Sequence, residues 1–210
     1  MDRQTALFDS NYRHSISLRD GGLIYFPQWL SRGLAQRYFN QLLKYSDWQQ
    51  STIRIAGKPV KIPRLNAWYG DLGASYQYSG KRFQPLIWTR PLDALRERLR
   101  RQLRLEGISE DLNSALLNYY RDGNDSVAWH ADDEKELGPA PFIASISLGE
   151  TRRFSLKRRD GAEKFQLHLA PGSLLLMLPP TQQHWLHSLP KTKSLVGARI
   201  NVTYRAVIVQ

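Results

Sequence analysis

His130 and Asp132 stand two residues apart, and His187 follows the aspartate by fifty-five residues. On an extended segment, positions i and i+2 share a face, so the imidazole and the carboxylate can reach one metal ion together. A second imidazole completes a 2-His-1-carboxylate set, the ligand type that holds non-haem Fe(II) and leaves positions open for substrate and oxygen. His184 competes with His187 for that role. In an extended HWLH segment the two point to opposite faces, so only one can be a ligand, and spacing does not say which. Arg199 supplies a fixed cation for a second, anionic partner. Together these residues point to oxygen activation with an acidic co-substrate.

The C-terminal segment has strict period two: Arg199, Asn201, Thr203 and Arg205 alternate with Ala198, Ile200, Val202 and Tyr204. One reading is a half-buried strand with its polar face in water. The other is a closing strand whose two arginines line an interior pocket, where a dicarboxylate would satisfy both with bidentate hydrogen bonds. Asn118 and Tyr120 repeat the i, i+2 logic on another strand and place an amide and a phenol on one wall.

These residues need a scaffold. An irregular lead is expected first, then a helix capped by Ser31 with Leu34, Tyr38, Leu42 and Tyr45 at helical spacing. A second helix follows Thr89, with Pro91 in its first turn and Leu92, Leu95, Leu99 and Leu103 as its apolar stripe. Arg96, Arg98, Arg100, Arg101 and Arg104 occupy its other faces and read as a solvated surface. From Ser114 the pattern changes to short strands at 114–120, 142–148, 152–157, 164–169, 173–178 and 196–208, with Asp160-Gly161 as a hairpin turn. Strands after two helices predict an α+β, mainly β chain: a double-sheet β-fold with helices packed on one sheet. Residues 1–50 read as an N-terminal extension and helix, and 51–210 as the catalytic part, within one structural domain.

Of the 210 residues, 41% are hydrophobic and none is cysteine. Disulfides and thiolate zinc sites are excluded, and a cytoplasmic location is expected. The N-terminal residues lack the apolar core of a signal peptide, and the longest apolar run is far below a membrane span. A net charge of +11 favours polyanionic partners.

The runs NYYRDGNDSVAWHADDE, APFIASISLGETRRF, HWLHSLP and RINVTYR resemble the AlkB family of Fe(II)- and 2-oxoglutarate-dependent nucleic-acid dealkylases. PRLNAWYGDLGASYQYSG is similar to the family's nucleotide-recognition region, placed at 53–80. The likeness runs from about Pro63 to Arg205, and several motifs occur in the family's order. It implies a jelly-roll (double-stranded β-helix) core with His130, Asp132 and His187 as iron ligands, and His184 as a neighbour. It also implies that Arg199 pairs with the distal carboxylate of 2-oxoglutarate, with Asn118, Tyr120, Asn201, Thr203 and Arg205 completing that pocket. O2 is the other co-substrate. The implied reaction is oxidative dealkylation of bases such as 1-methyladenine and 3-methylcytosine, coupled to decarboxylation of 2-oxoglutarate to succinate and CO2, with release of aldehyde.

A methylated base is inaccessible inside a duplex, so the nucleotide must be flipped or already single-stranded. The resemblance puts Tyr76 and Tyr78 beside the lesion, Trp68 in the recognition loop and Glu134 opposite the exocyclic amino group. Arg152, Arg153, Lys157, Arg158 and Arg159 read as a basic hairpin, with Arg159 nearest the family's substrate arginine. Ile55-Ala56-Gly57 lacks the bulky wedge expected of duplex-acting members. The expected partner is therefore alkylated DNA, with RNA left open, single strands favoured, no membrane, and a monomeric protein. The alternatives are an oxygenase of this fold acting on protein or lipid, and a non-catalytic nucleic-acid binder.

Overall fold

Apolar stripes at helical spacing anchor both helices. The computed structural model describes residues 13–55, 57–74, 76–78 and 81–208, with residues 55, 76–78 and 81–83 as backbone only. Helix α1 (Arg32–Tyr45) starts at Ser31, whose hydroxyl accepts from the Leu34 N–H, and buries Ala35, Tyr38 and Leu42. Tyr45 instead turns to solvent in the last turn. Helix α2 (Arg90–Leu105) has its proline in the first turn and buries Leu92, Leu95, Leu99 and Leu103, each at most 1% exposed.

Before α1 the chain is not irregular. β1 (His14–Leu18) and β2 (Gly21–Phe26) form a hairpin in the main sheet, so the expectation of an irregular N-terminal lead is corrected. The short GGLIYF run pairs through long-range neighbours that no local pattern announces. Between the helices lie two small hairpins, β3 (Thr52–Ile55) with β4 (Lys58–Lys61) and β6 (Tyr76–Tyr78) with β7 (Lys81–Phe83), which flank β5 (Leu65–Gly70).

The remaining strands are β8 (Ser114–Tyr120), β9 (Val127–His130), β10 (Ile143–Gly149), β11 (Arg152–Arg158), β12 (Lys164–Leu169), β13 (Leu174–Leu178), β14 (Trp185–Leu189) and β15 (Arg199–Arg205). A short helix, α3 (Thr181–His184), leads into β14. The strands predicted from Ser114 onward are present with ends shifted by a few residues; β15 is shorter than the 196–208 expected. Gly161 takes φ +78° at the Asp-Gly turn. Gly149, at φ +83°, closes the β10–β11 turn where a Cβ would strike the Ala198 carbonyl and the Phe39 ring.

Two antiparallel sheets face each other. The major sheet runs β1-β2-β13-β10-β15-β8-β5 and the minor sheet β12-β11-β14-β9. The outer face of the major sheet, with Ile146, Leu117, Val202 and Tyr204, packs on both helices. Its inner face is apolar at one side, where Leu23, Tyr25, Leu175 and Met177 meet Phe154, Leu156, Leu167 and Trp185 of the minor sheet. Toward β15 and β8 that inner face becomes polar. Helices covering one face and a second sheet covering the other leave all of β15 buried, so its polar residues line the interior and do not face water. This is the jelly-roll arrangement, with helices on one sheet.

Leu99 is fully buried between α2 and the major sheet. Leu99→Ala should lower unfolding free energy by about 2–5 kcal/mol with the denaturant m-value unchanged; chemical denaturation followed by circular dichroism measures both.

Candidate metal and co-substrate site

His130 ends β9 and His187 lies directly opposite it on β14. That register places their rings 4.3 Å apart on the inner face of the minor sheet. Asp132 follows β9 by two residues, and its backbone N–H donates to Gln182 Oε1 at 3.0 Å. The ligand atoms of His130, Asp132 and His187 all lie within 4.8 Å of one another. His130 Nδ1 is 2.9 Å from the Ala128 carbonyl oxygen, which can only accept, so Nδ1 is the donor and Nε2 is the nitrogen available to a metal in the neutral ring.

The electrostatics suit ligation. Burial, helped by the nearby His130, pushes His187 down to about 3, so its imidazole is neutral at neutral pH. Burial alone would raise Asp132, but Arg205 and the two histidines outweigh it and hold the carboxyl below its usual range. Arg205 Nη1 reaches across from the major sheet to Asp132 Oδ1 at 3.5 Å and to Glu134 Oε2 at 3.9 Å.

His184 is separated from this cluster. It ends α3, and β14 begins one residue later, so the HWLH segment is not extended throughout. His184 instead acts on the charge of Asp20. Among the described residues it is His187, and not His184, that joins His130 and Asp132 in the cluster.

The anion pocket occupies the polar inner face of the major sheet. Arg199 pairs in register with Tyr120, and Asn201 with Asn118. Arg199 donates to Ser147 Oγ and Asn201 Oδ1, both at 2.9 Å, and Asn201 Nδ2 donates to Thr203 Oγ1 at 2.6 Å. Burial pushes Arg199 down to about 10, still fully charged at neutral pH. The Nε atoms of Arg199 and Arg205 are buried without a hydrogen-bond partner. Such orphaned donors are what a bound dicarboxylate would satisfy, so the residues fit both an iron ion and 2-oxoglutarate.

Some residues were missed in the sequence. Ser145 and Ser147 follow the i, i+2 rule of an inward face and could have been found by it. Gln182, and Arg64, which donates to Asn118 Oδ1 at 2.7 Å, carry no local signal.

The base-recognition residues divide. Trp68 pairs with Leu116 and Asn66 with Asn118, which puts half-buried Trp68 on the pocket side of β5. Its neighbour Tyr69 faces the helices and accepts the Asp47 N–H. Tyr76 and Tyr78 lie on β6, with side chains outside the described atoms, and Ala56 lies outside the described residues.

The basic hairpin needs correction. Arg152 is 3% exposed and donates to three backbone carbonyls. Arg158 is paired with Asp20 and Asp160, each at 2.7 Å. Arg159 is paired with Asp133 at 2.6 Å but remains part-exposed.

Comparison with known proteins agrees with the fold and identifies the family. The family model of the 2OG-Fe(II) oxygenase superfamily matches residues 22–205. DNA oxidative demethylase ALKBH2 of Mus musculus is 37% identical over 82% of this chain and 73% of that protein. The Arabidopsis thaliana protein of the same name is 35% identical over 93% of the chain and 70% of its own length. Alpha-ketoglutarate-dependent dioxygenase alkB homolog 3 of Mus musculus is 34% identical over 87% and 65%. The solved structure of OsALKBH1 superposes with a TM-score of 0.65 at 15% identity, covering 90% of this chain and all of that one, and so supports the fold. The chain is a 2OG-Fe(II) dioxygenase. Within that superfamily it belongs to the AlkB family, whose chemistry uses Fe(II), 2-oxoglutarate and O2.

His187→Ala and Asp132→Ala should abolish Fe(II) binding in anaerobic titration while leaving the circular dichroism spectrum near that of the parent. His184→Ala should bind iron normally. Gln182→Leu, which frees the Asp132 backbone, should weaken iron by about ten-fold or more. Equal losses in His184→Ala and His187→Ala would reopen the ligand assignment.

Proposed function

We propose that the protein removes alkyl groups from N-alkylated nucleic-acid bases, such as 1-methyladenine and 3-methylcytosine in DNA. The reaction is coupled to decarboxylation of 2-oxoglutarate to succinate and CO2, with release of aldehyde. The observation that carries this reading is the pairing of a His-Asp-His cluster on one sheet with buried, partly unsatisfied guanidinium groups on the other. Relatives named as DNA oxidative demethylases support the substrate class.

In this reading His130, Asp132 and His187 hold Fe(II). Arg199, with Asn118, Tyr120, Asn201, Thr203 and Arg205, holds 2-oxoglutarate. The iron and its co-substrates supply the oxidant when bound. The chain's own residues orient and exclude water. Neutral His187 and charge-held Asp132 are both deprotonated as ligands. Arg205 lies 3.5 Å from Asp132 and 3.9 Å from Glu134, so the metal side and the base side share one neighbouring guanidinium. Glu134 then faces the exocyclic amino group, Trp68, Tyr76 and Tyr78 contact the base, and Arg159, once released from Asp133, meets a phosphate.

Single strands are the favoured substrate and the protein acts as a monomer; RNA is a second substrate to test. Flipping a paired base costs a few kcal/mol, which a bulky wedge helps offset, and the sequence Ile55-Ala56-Gly57 has no aromatic side chain to serve as one. Iron-dependent succinate release with methylated oligonucleotide, compared with none, tests the activity. Arg199→Ala should weaken 2-oxoglutarate binding by about 2–5 kcal/mol, and Arg199→Lys should recover part of it, since Lys lacks the planar fork. Methylated single strands should be turned over with higher kcat/KM than matched duplexes at fixed salt; equal values would remove the strand preference.

A further inference from the structure

Arg152 enters the interior from β11 of the minor sheet, and Arg199 from β15 of the major sheet. Both guanidinium carbons lie over the Tyr120 ring, at 6.0 Å and 5.3 Å from its centroid. Each is hydrogen-bonded, but to neutral groups. Arg152 donates to the carbonyls of Asp122 at 2.9 Å, Asp125 at 3.0 Å and Pro190 at 2.8 Å. Arg199 donates to Ser147 and Asn201. Among the described residues, no ion pair joins a carboxylate to either one. The nearest acids do not discharge them: Asp125 is held by Arg121 at 2.7 Å, and Asp122 is exposed. Tying two loops to β11 needs donors but no charge. A buried cation also projects a field, and Arg199 lies within it.

We propose that Arg152 is a specificity-determining residue: its charge, set beside Tyr120, makes the Arg199 pocket select dianionic over monoanionic 2-oxo acids. This rests on the reading of Arg199 as partner of the distal carboxylate. That carboxylate lies in the field of two buried cations, whereas a monoanion presents only its keto-acid end to the metal on the other sheet. A unit charge roughly 10 Å away, at an effective dielectric constant of about 20, changes affinity by on the order of ten-fold.

The test is anaerobic titration of the Fe(II)-loaded protein with 2-oxoglutarate and with 2-oxopentanoate, in which a methyl replaces the distal carboxylate. Arg152→Gln should weaken 2-oxoglutarate by about ten-fold and leave 2-oxopentanoate within about two-fold of the parent. Arg152→Lys keeps the charge without the three-carbonyl fork, so it should lower the melting temperature yet hold the discrimination near that of the parent. Equal weakening of both ligands by Arg152→Gln, or no weakening, overturns the proposal. So does loss of discrimination in Arg152→Lys, which decides the matter if Arg152→Gln does not fold. An Arg199→Ala control that binds 2-oxoglutarate as the parent does would instead defeat the reading of the pocket itself.

Discussion

Buried cations on the inner face of β15 set the conditions for the rest of the molecule. Arg199 is 1% exposed and Arg205 8%, in a strand covered by helices on one side and by a second sheet on the other. An unpaired charge in such a place costs several kcal/mol. The surroundings answer with hydroxyls and amides: Ser145, Ser147, Asn118, Asn201 and Thr203 are buried beside them. Ser147 and Asn201 accept from Arg199, Asn201 also bonds Ser145 and Thr203, and Asn118 accepts from Arg64; these groups are neutral and leave the charge of Arg199 in place. The interior is thus built for an anion, and the apolar half of the sandwich, from Leu23 to Trp185, provides the compensating stability.

The division between sheets follows from the same requirement. The metal cluster sits on the minor sheet and the anion pocket on the major sheet, with facing sheets about 10 Å apart. Arg205 crosses that gap to Asp132, so the carboxylate ligand is oriented by the strand that also carries Arg199. A co-substrate with an iron-binding end and a carboxylate end would find its two kinds of partner on opposite sheets, the His-Asp-His cluster on one and the buried guanidinium of Arg199 on the other.

Much of this was legible in the sequence because the governing patterns are local. The alternation from Arg199 to Arg205 marked a two-faced strand, and the leucines from Leu92 to Leu103 marked a helix stripe. What alternation could not say was whether the polar face met water or the interior; that depends on the minor sheet folding over it. The same limit hid the hairpin of β1 and β2, in which β2 joins the sheet by a long-range pairing with β13. It also hid the fate of Arg152, since a basic run reads alike whether its members are exposed or turned inward. His184 and His187 were separable only once α3 ended the extended segment between them.

Placement also decides what the surface charge can do. α2 packs on the outer face of the major sheet, so the exposed Arg98, Arg101 and Arg104 lie on the far side of that sheet from the metal cluster. They can attract a polyanion over a distance but cannot touch anything bound at the cluster. Near the cluster, Arg158 and Arg159 already have carboxylate partners. A phosphate there must displace Asp133 from Arg159, exchanging one charge-assisted hydrogen bond for another. The net gain of such an exchange at Arg159 is small. The charge that the fold itself commits beside the cluster is that of Arg205, which lies 3.5 Å from Asp132 Oδ1 and 3.9 Å from Glu134 Oε2.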